Sequence, residues 1–338
     1  MAPKEPVVLY QYDTSPISTK IKNVLTLKHI PHKRVHVAEM PPRPELLILG
    51  VTYRRIPVLA IGNDVYCDSS LIASILEQRY PASEGYGTIF PKRKGGGSSD
   101  PGVAKVFSTF YMEKIIFPLV SGSLPFHRFA PEFIKDRQSM GMKFEMDAKV
   151  AEARYPFTKS ALASHLMLLE EQLADGREWL LDTETPSLAD ISAHIIYDWM
   201  KRFKSVRDVY REHKYPRILS WLQRFSEYLG KQDKDNASPF QNISGQEAAD
   251  IIQSSVSQDA DVVGFDDVES GRLQVKRGDI VAITPADNAK VPTVGTLIAL
   301  NREETVIEIS GNSGRIVRCH FPRLNFSIKP VTESKAKL

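Results

Sequence analysis

Three short segments in the first part of the chain hold residue types that could bind and stabilise an anion. Ser15 stands directly before Pro16, and Asp68 stands directly before Ser69. Serine caps the free N–H groups at a helix start and proline fits the first helical position, so both segments predict helix N-termini. A helix N-terminus and a hydroxyl donor both favour a negative charge, and Arg55 supplies a cation between them. Taken singly, the serine segments are also explained by ordinary helix capping, and the Ile56-Pro57-Val58 run that follows Arg55 by a turn that enters a strand.

The order of these segments predicts one α/β domain that positions them. Short apolar runs alternate with an amphipathic stretch, and Ile56-Pro57 leads into one of the runs. This pattern is that of a thioredoxin-type βαβ–ββα domain, which we assign to residues 1–91. The predicted strands cover 7–10, 35–37 and 58–61, with 63–64 turning into a fourth, and the predicted helices cover 17–28 and 69–80.

Residues 7–81 resemble the glutathione transferases. The run from Ser15 to Ile21 is similar to the active-site turn and first helix of the serine and cysteine classes, and the runs Arg-Ile-Pro-Val-Leu and Asp-Ser-Ser-Leu-Ile are similar to the glutathione site. The resemblance implies that Ser15 donates a hydrogen bond to the glutathione sulfur and is not a covalent nucleophile. A free thiol has a pKa of about 8.5, and each unit by which a site lowers it corresponds to about 1.4 kcal/mol.

The resemblance also implies how glutathione, the expected cofactor, is bound. Its two carboxylates, amine and thiol need cations at one end, a carboxylate for the amine, and a backbone N–H and C=O pair for the central residue. Asp68 stands where the family usually has the longer glutamate. The matching residues are Ile56, before a Pro57 implied to be cis, for the cysteinyl unit; Asp68 and Ser69 for the γ-glutamyl group; and Arg43 and Arg55 for the glycine carboxylate.

Other hydroxyl groups stand close enough in sequence to take the role of Ser15. They are Ser18 and the phenols of Tyr10 and Tyr12, because other classes of the family use a tyrosine near the end of the first strand. Members that reduce disulfides have a cysteine at the position of Ser15. This chain has none there and has no Cys-x-x-Cys motif, so thiol–disulfide exchange is not expected to be its main activity.

The chain has two cysteines, Cys67 and Cys319, which are far apart in sequence. We expect them to lie in different domains and to be reduced, as small buried apolar residues. His320 adjoins Cys319, but neither has partners at metal-binding spacing, so no metal site is predicted.

A basic and then glycine- and serine-rich stretch at 92–102 predicts a flexible linker. It lacks the Gly-Lys-Ser or Gly-Lys-Thr ending of a phosphate-binding loop. Residues 103–230 then have helical periodicity, which predicts an all-helical domain. Within it, Ser187 stands three residues before Asp190, the spacing of a capping box that opens a helix.

In glutathione transferases the second substrate lies between these two domains, against the first long helix of the helical domain. The residues expected to line its pocket are Tyr12, Phe107, Phe110, Tyr111, Lys114 and Phe117, with Phe126, His127 and Arg128 nearby in sequence. An aromatic stripe on a helix is also typical of a packed core, and that alternative stays open for each residue. The aromatic content favours a bulky apolar or conjugated small molecule as the second substrate.

The last part of the chain departs from this family, most members of which end with the helical domain. Residues 231–257 predict a second linker, and residues 258–338 predict a small all-β domain resembling an SH3-like barrel. The evidence is a change to short alternating runs separated by Gly, Asn and Pro. We expect this domain to pack on the helical domain or a second subunit, to bind a partner, or to cover the active-site mouth.

Length and charge narrow the classes of function. At 338 residues the chain exceeds one usual core, and its 44 basic and 41 acidic residues give a net charge of +3, which is no argument for nucleic acid binding. An apolar signal-peptide core and an apolar run of about eighteen residues are both missing, which predicts a cytoplasmic protein without a membrane partner. The resemblance implies a homodimer.

Three functions fit the sequence. In the first, a glutathione transferase, the thiolate attacks an electrophilic carbon in detoxification or, by resemblance to fungal-like members, in secondary-metabolite biosynthesis. In the second, a glutathione-dependent isomerase, the thiolate adds reversibly to a conjugated double bond, lets it rotate and leaves. In the third, the fold serves as a non-catalytic binding or assembly module. The transferase is our main interpretation.

Overall fold

The N-terminal domain has the predicted thioredoxin fold. The computed structural model describes residues 5–141, 147–235, 240–287, 291–311 and 314–331. The elements of the first domain are β1 (Val7–Gln11), α1 (Pro16–Leu27), β2 (Lys33–His36), α2 (Pro44–Leu47), β3 (Val58–Ile61), β4 (Asp64–Cys67) and α3 (Ser69–Arg79). Strand β1 pairs parallel with β2 and antiparallel with β3, which pairs antiparallel with β4. The apolar face of α1, with Ile21, Val24 and Leu25, is fully buried.

The second domain is helical, as predicted. Its elements are α4 (Pro101–Val106), a π-helix (Phe107–Ile116), α5 (Phe117–Ser121), α6 (Pro131–Ser139), α7 (Ala148–Gln172), α8 (Leu188–Met200) and α9 (Pro216–Asp235). The capping box is present, because the Asp190 carboxylate accepts from the Ser187 backbone N–H at 2.9 Å and hydroxyl at 2.7 Å. The same carboxylate accepts from Trp221 Nε1 at 3.0 Å, which ties α8 to α9.

The predicted first linker is fixed to the helical domain. The backbone N–H of Lys94 donates to the Asp182 carbonyl at 2.8 Å, and that of Glu184 donates to the Lys92 carbonyl at 3.0 Å. These bonds make a short two-stranded contact. The basic residues 92–94 are therefore held on the helical domain, and the glycine- and serine-rich stretch follows them.

The C-terminal region is β-rich, as predicted, but its strands continue the first domain's sheet. Its elements are β5 (Gln241–Asn242), α10 (Gly245–Ser254), α11 (Ala260–Val263), α12 (Asp267–Leu273), β6 (Ile280–Pro285), β7 (Thr293–Leu300), β8 (Glu304–Ser310), β9 (Ile316–Pro322) and β10 (Phe326–Pro330). One ten-stranded sheet runs in the order β10-β6-β7-β8-β9-β4-β3-β1-β2-β5. The predicted β-rich domain is therefore present, and it is joined to the first domain's sheet because β9 pairs parallel with β4.

The predicted second linker is also largely structured. Helix α9 extends to Asp235, β5 pairs parallel with β2, and α10 packs against the sheet with Ala248, Ala249 and Ile252 fully buried. Residues 236–239 of this linker and residues 332–338 of the predicted β domain lie outside the described part of the chain.

The two faces of the β4–β9 junction have different chemistry, because side chains alternate along each strand. On one face Cys67 and Cys319 are both fully buried, and their Sγ atoms lie 3.7 Å apart. The two cysteines are free thiols, as expected, and the pairing of β9 with β4 brings them together from the first domain and the C-terminal region. Burial raises the pKa of the Cys67 thiol.

On the other face His320 joins two carboxylates. Its Nδ1 lies 2.9 Å from Glu304 Oε2, and its Nε2 lies 3.2 Å from Asp64 Oδ1. Arg79 also pairs with Asp64, at 3.2 Å. Burial acts to lower the pKa of His320, but the hydrogen bonds and charges of Asp64 and Glu304 outweigh it and raise that pKa to about 9. The imidazole is therefore a buried cation that binds β9 to β4.

Residues 48–52 of the first domain pack closely on the C-terminal sheet. A Cβ atom at Gly311 would lie 2.0 Å from the Ile48 carbonyl oxygen and 2.6 Å from the Gly50 backbone nitrogen. Thr52 Oγ1 donates to the Pro292 carbonyl at 3.0 Å. The segment that leads to Pro57 is thus held in place by residues of the β-rich region.

Among the described helices, none is long and apolar enough to cross a membrane.

We expect Gly311→Ala to destabilise the protein by about 2 kcal/mol or more, because the added methyl group meets backbone and cannot be relieved by a side-chain rotation. Gly271→Ala is the control, since a Cβ there meets no atom within 4 Å. Urea denaturation measures both. Equal, small effects of the two substitutions would contradict the close packing.

We expect protein stability to fall as the pH rises from about 6.5 to about 9. The pKa of His320 is higher in the folded state than in the unfolded state, so protonated His320 stabilises the fold. This stabilisation is complete below the unfolded pKa and is lost as the pH rises to the folded pKa, with a slope of at most about 1.4 kcal/mol per pH unit. Thermal unfolding across this range tests it. His127→Gln, at an exposed histidine, should keep the slope, and His320→Gln should remove it; a slope that survives His320→Gln refutes the assignment.

Candidate functional site

Ser15 forms the predicted helix cap at the start of α1. Its Oγ accepts from the Ser18 backbone N–H at 3.1 Å, and Pro16 occupies the first helical position. Ser15 is only 5% exposed. Because the Ser15 oxygen accepts this hydrogen bond from the helix, the Ser15 hydroxyl hydrogen is the part that can be donated to another group.

Tyr12 and Arg137 lie beside Ser15. Tyr12 shares a side-chain hydrogen bond with Ser15, and Arg137 Nη2 donates to Tyr12 Oη at 3.3 Å. Burial raises the pKa of Tyr12 although Arg137 and Arg43 act to lower it. Arg137 also lies 4.4 Å from the centre of the Phe133 ring, so α6 brings a positioned cation to the Ser15 turn.

Tyr10 and Ser18 are less suited than Tyr12 to take the role of Ser15. Tyr10 is fully buried in the core on the other face of the sheet, and this burial raises the pKa of its phenol. Ser18 is also fully buried, and its hydroxyl has no hydrogen-bond partner among the described residues. Tyr12 has the hydroxyl that contacts Ser15, so it is the better placed substitute.

The guanidinium group of Arg43 donates hydrogen bonds to backbone carbonyl groups. Its Nε donates to the Ala38 carbonyl at 2.8 Å, its Nη2 donates to the Glu39 carbonyl at 3.1 Å, and its Nη1 donates to the Arg54 carbonyl. These bonds use three of the five guanidinium N–H donors. The side chain fixes the loop before α2, which is a positioning role and differs from the predicted contact with a carboxylate.

Arg55 of the first domain and Lys114 of the helical domain are bridged by one carboxylate. Both contact Asp287, on the loop after β6: Arg55 Nη2 lies 2.9 Å from a carboxylate oxygen, and Lys114 Nζ lies 3.5 Å from Oδ2. Burial acts to lower the pKa of Arg55, but the surrounding groups, including Asp287 and Asp68, outweigh it and raise that pKa. The peptide bond between Ile56 and Pro57 is cis, as expected.

Asp68 and Ser69 form the second helix start. Asp68 has φ +78°, a region that non-glycine residues rarely adopt, and its Oδ1 accepts from the Ser70 backbone N–H at 2.9 Å and hydroxyl at 2.6 Å. Strained backbone of this kind is concentrated at functional sites. Ser69 is 3% exposed and donates its hydroxyl to Glu113 Oε1 at 2.9 Å.

A buried polar network continues from Ser69 into the helical domain. Lys20 Nζ lies 2.6 Å from Glu113 Oε1 and donates to Ser108 Oγ at 2.7 Å, and Ser108 Oγ lies 2.7 Å from Ser192 Oγ. The Lys20 side chain is fully buried. The network joins α1, α3, the π-helix and α8.

The aromatic residues predicted to line a pocket separate into two groups. Phe107 and Tyr111 pack against the large core, and Tyr111 Oη lies 3.0 Å from His165 Nδ1, so for these the packed-core alternative applies. Phe117 stacks on Trp199, and Phe126 is buried. Phe110 is half-buried. It shares the π-helix with Glu113 and Lys114, and π-helical segments are frequent at functional sites.

Three residues at the site were missed by sequence reasoning: Glu113, Arg137 and Asp287. Glu113 stands beside the predicted Lys114, so its place on the helix was available from the sequence. Arg137 and Asp287 come from distant segments, and only the packing of α6 and β6 brings them to Tyr12 and Arg55.

Two cavities of about 250 Å³ are lined by residues outside the predicted site. One is lined by Glu5, Arg79, Tyr80, Glu84, Tyr86 and Gln258, and the other by Leu173, Gly176, Arg177, Pro216, Arg217, Ser220 and Arg224. Neither contains a predicted site residue. The described residues include no group of three His, Cys, Asp or Glu side chains placed to hold a metal ion.

Comparisons with known proteins agree with the fold. Residues 9–84 match the model described as glutathione S-transferase, N-terminal domain, and residues 117–234 match a domain of unknown function (DUF7962). A structure of a GST-like protein from Pseudomonas syringae is 24% identical, covers 97% of this chain and 100% of its own, and has a TM-score of 0.67. This likeness establishes the shared fold, including the C-terminal sheet.

Two plant structures are more distant. A rice glutathione S-transferase in complex with glutathione is 18% identical, with 74% of this chain and 96% of that chain covered and a TM-score of 0.46. A tau-class glutathione S-transferase from mango is 18% identical, with 70% and 100% covered and a TM-score of 0.48. Scores at this level support no further argument. A search of curated proteins found no match.

We expect Lys20→Met to destabilise the protein by about 3–5 kcal/mol, because it removes the cation that neutralises Glu113 in a buried setting. Lys201→Met is the control: Lys201 pairs with Asp198 at 2.8 Å, but its side chain is 40% exposed, so the loss should stay within about 0.5 kcal/mol. Chemical denaturation measures both. A Lys20→Met cost as small as that of the control would mean that the network does not hold the two domains together.

Proposed function

We propose that the chain binds glutathione and activates its thiol, and the match of residues 9–84 to a glutathione S-transferase N-terminal domain supports this proposal. The thiolate then attacks a bulky apolar or conjugated electrophile. The buried Ser15 hydroxyl at the start of α1 is the observation on which this proposal chiefly rests.

The role of Ser15 follows from its hydrogen bonds. Its oxygen already accepts from the Ser18 backbone N–H, so its hydrogen can be donated to a sulfur anion in place of the present bond with Tyr12. The helix N-terminus adds a favourable partial positive charge, and Arg137 adds a guanidinium whose charge is partly balanced by Asp136 at 2.6 Å. Together these groups favour the thiolate over the thiol, which is what lowers a thiol pKa.

The remaining residues suit the other groups of glutathione. The cis Ile56–Pro57 segment offers backbone N–H and C=O groups to the cysteinyl unit, while Asp68 offers a carboxylate to the amine. Ser69 and the N-terminus of α3 suit the γ-glutamyl carboxylate. Arg55 suits the glycine carboxylate. We assign Arg43 to holding the loop, because its donors meet backbone carbonyls.

The second substrate would lie against the exposed side of the π-helix. Tyr12, Phe110 and Lys114 remain its proposed lining, while Phe107 and Tyr111 contribute through packing. A conjugated electrophile that stays bound to sulfur gives conjugation, and one that leaves after rotation gives double-bond isomerisation. Both reactions need the same thiolate. A homodimer and a cytoplasmic location are part of this proposal by family resemblance.

One observation favours a second candidate, the non-catalytic binding module. Ser69 and Arg55, the donors proposed for the two glutathione carboxylates, already contact the protein carboxylates of Glu113 and Asp287. A chain that uses these donors internally could keep the fold for assembly alone. The strained Asp68 and the capped Ser15 favour the catalytic candidate.

Titration calorimetry with glutathione tests the proposal, followed on the same sample by ultraviolet spectra of the thiolate band across pH. We expect binding and a bound-thiol pKa well below that of free glutathione. Absence of binding would remove both catalytic functions and leave the assembly module.

We expect Ser15→Ala to lower turnover of a conjugated electrophile by roughly ten- to a thousandfold. The same substitution removes a helix cap worth about 1 kcal/mol, so stability must be measured as well. Ser15→Thr keeps both the cap and the hydroxyl and should retain most activity. Full activity of Ser15→Ala with a matching thiolate spectrum would move the role to Tyr12.

A further inference from the structure

The carboxylate of Asp287 lies where the proposed function expects a ligand carboxylate. Asp287 comes from the C-terminal region, yet it contacts Arg55 Nη2 at 2.9 Å and Lys114 Nζ at 3.5 Å. Its side chain is 35% exposed, and that of Arg55 is 28% exposed. One carboxylate therefore bridges a cation from each of the other two domains.

The loop that carries Asp287 is fixed where it leaves β6. Pro285, the last residue of β6, pairs with Phe326 of β10, and the Ala286 backbone N–H donates to the Asn325 carbonyl at 2.7 Å. The Phe326 ring centre lies 6.0 Å from that of Tyr53, two residues before Arg55. Packing thus sets the position of Asp287 relative to Arg55.

The charges at this place leave little room for a further anion. Asp68 faces Arg55 from the start of α3, Asp287 faces it from the β6 loop, and Tyr53 lies on the same segment. A ligand carboxylate must either displace Asp287 from Arg55 or share the site with a like charge, and like charges placed together reduce affinity.

We propose that Asp287 is a specificity-determining residue of the glutathione site, where its carboxylate competes with the glycine carboxylate of the ligand for Arg55 and Lys114. The preferred ligand is then a γ-glutamylcysteinyl thiol whose far end carries no negative charge, such as a glycinamide. This inference rests on the proposed function, because it concerns the same site.

Calorimetric titration of the full chain with glutathione and with its glycinamide tests the inference. The unaltered protein should bind the glycinamide more tightly than glutathione. Asp287→Asn, of nearly the same shape, should tighten glutathione binding by about tenfold, which corresponds to about 1.4 kcal/mol, and should change glycinamide binding by less than about twofold. Asp261→Asn is the matched control, because Asp261 lies in the same region with its side chain 79% exposed.

The possible results separate the two levels of the argument. If the unaltered protein prefers glutathione and Asp287→Asn leaves both affinities unchanged, the inference is overturned while the proposed function stands. If neither ligand binds either protein, the proposed function fails. The comparison of the two ligands in the unaltered protein needs no substitution, so it decides the inference even if Asp287→Asn does not fold.

Discussion

The pairing of β9 with β4 is the contact on which the architecture depends. In a thioredoxin-type sheet β4 would be an edge strand with unpaired backbone groups, which attract other strands. Here β9 supplies the partner from residues far along the chain, with Val65 opposite Cys319 and Tyr66 opposite His320. The pairing joins the strands β6 to β10 to the four strands of the first domain, and β5 adds a tenth strand beside β2, so the C-terminal region and the first domain share one sheet.

Charge makes this pairing specific. His320 is buried between Asp64 and Glu304, and Arg79 pairs with Asp64 from α3. Removing one member of such a set leaves a buried charge without its partner, which costs far more than the set itself contributes. A shifted register between β9 and β4 would separate His320 from Asp64, while Glu304, on β8, would stay beside it. On the opposite face β9 presents Val317, Cys319 and Phe321, which are buried apolar residues.

The proposed site follows from this arrangement because three parts of the chain build it. The first domain supplies Ser15 and Arg55, the helical domain supplies Glu113, Lys114 and Arg137, and the C-terminal region supplies Asp287. The C-terminal sheet also holds residues 48–52, through the close approach at Gly311 and the hydrogen bonds of Thr52. The affinity for an anionic ligand then depends on how strongly the ligand carboxylate binds Arg55 relative to the carboxylate of Asp287. Contacts with the ligand alone do not determine this affinity.

The sequence determined those features that depend on neighbours along the chain. The strands and helices of the first domain, the Ser15 cap and the capping box at Ser187 and Asp190 all arise from local patterns, and the structure has them within a few residues of the predicted bounds. The β-rich character of the last region was also local, since alternation along a strand needs no partner to be recognised. The catalytic assignment of Ser15 came from resemblance and remains a proposal.

Tertiary structure decided which of these elements meet. Alternating residues in β9 predict a strand, but they do not say which strand it pairs with, because every strand offers the same backbone N–H and C=O groups for pairing. Cys67 and Cys319, His320 and Asp64, and Asp287 and Arg55 are pairs from opposite ends of the chain. No periodicity links such residues, so their contacts come from the packing of whole elements.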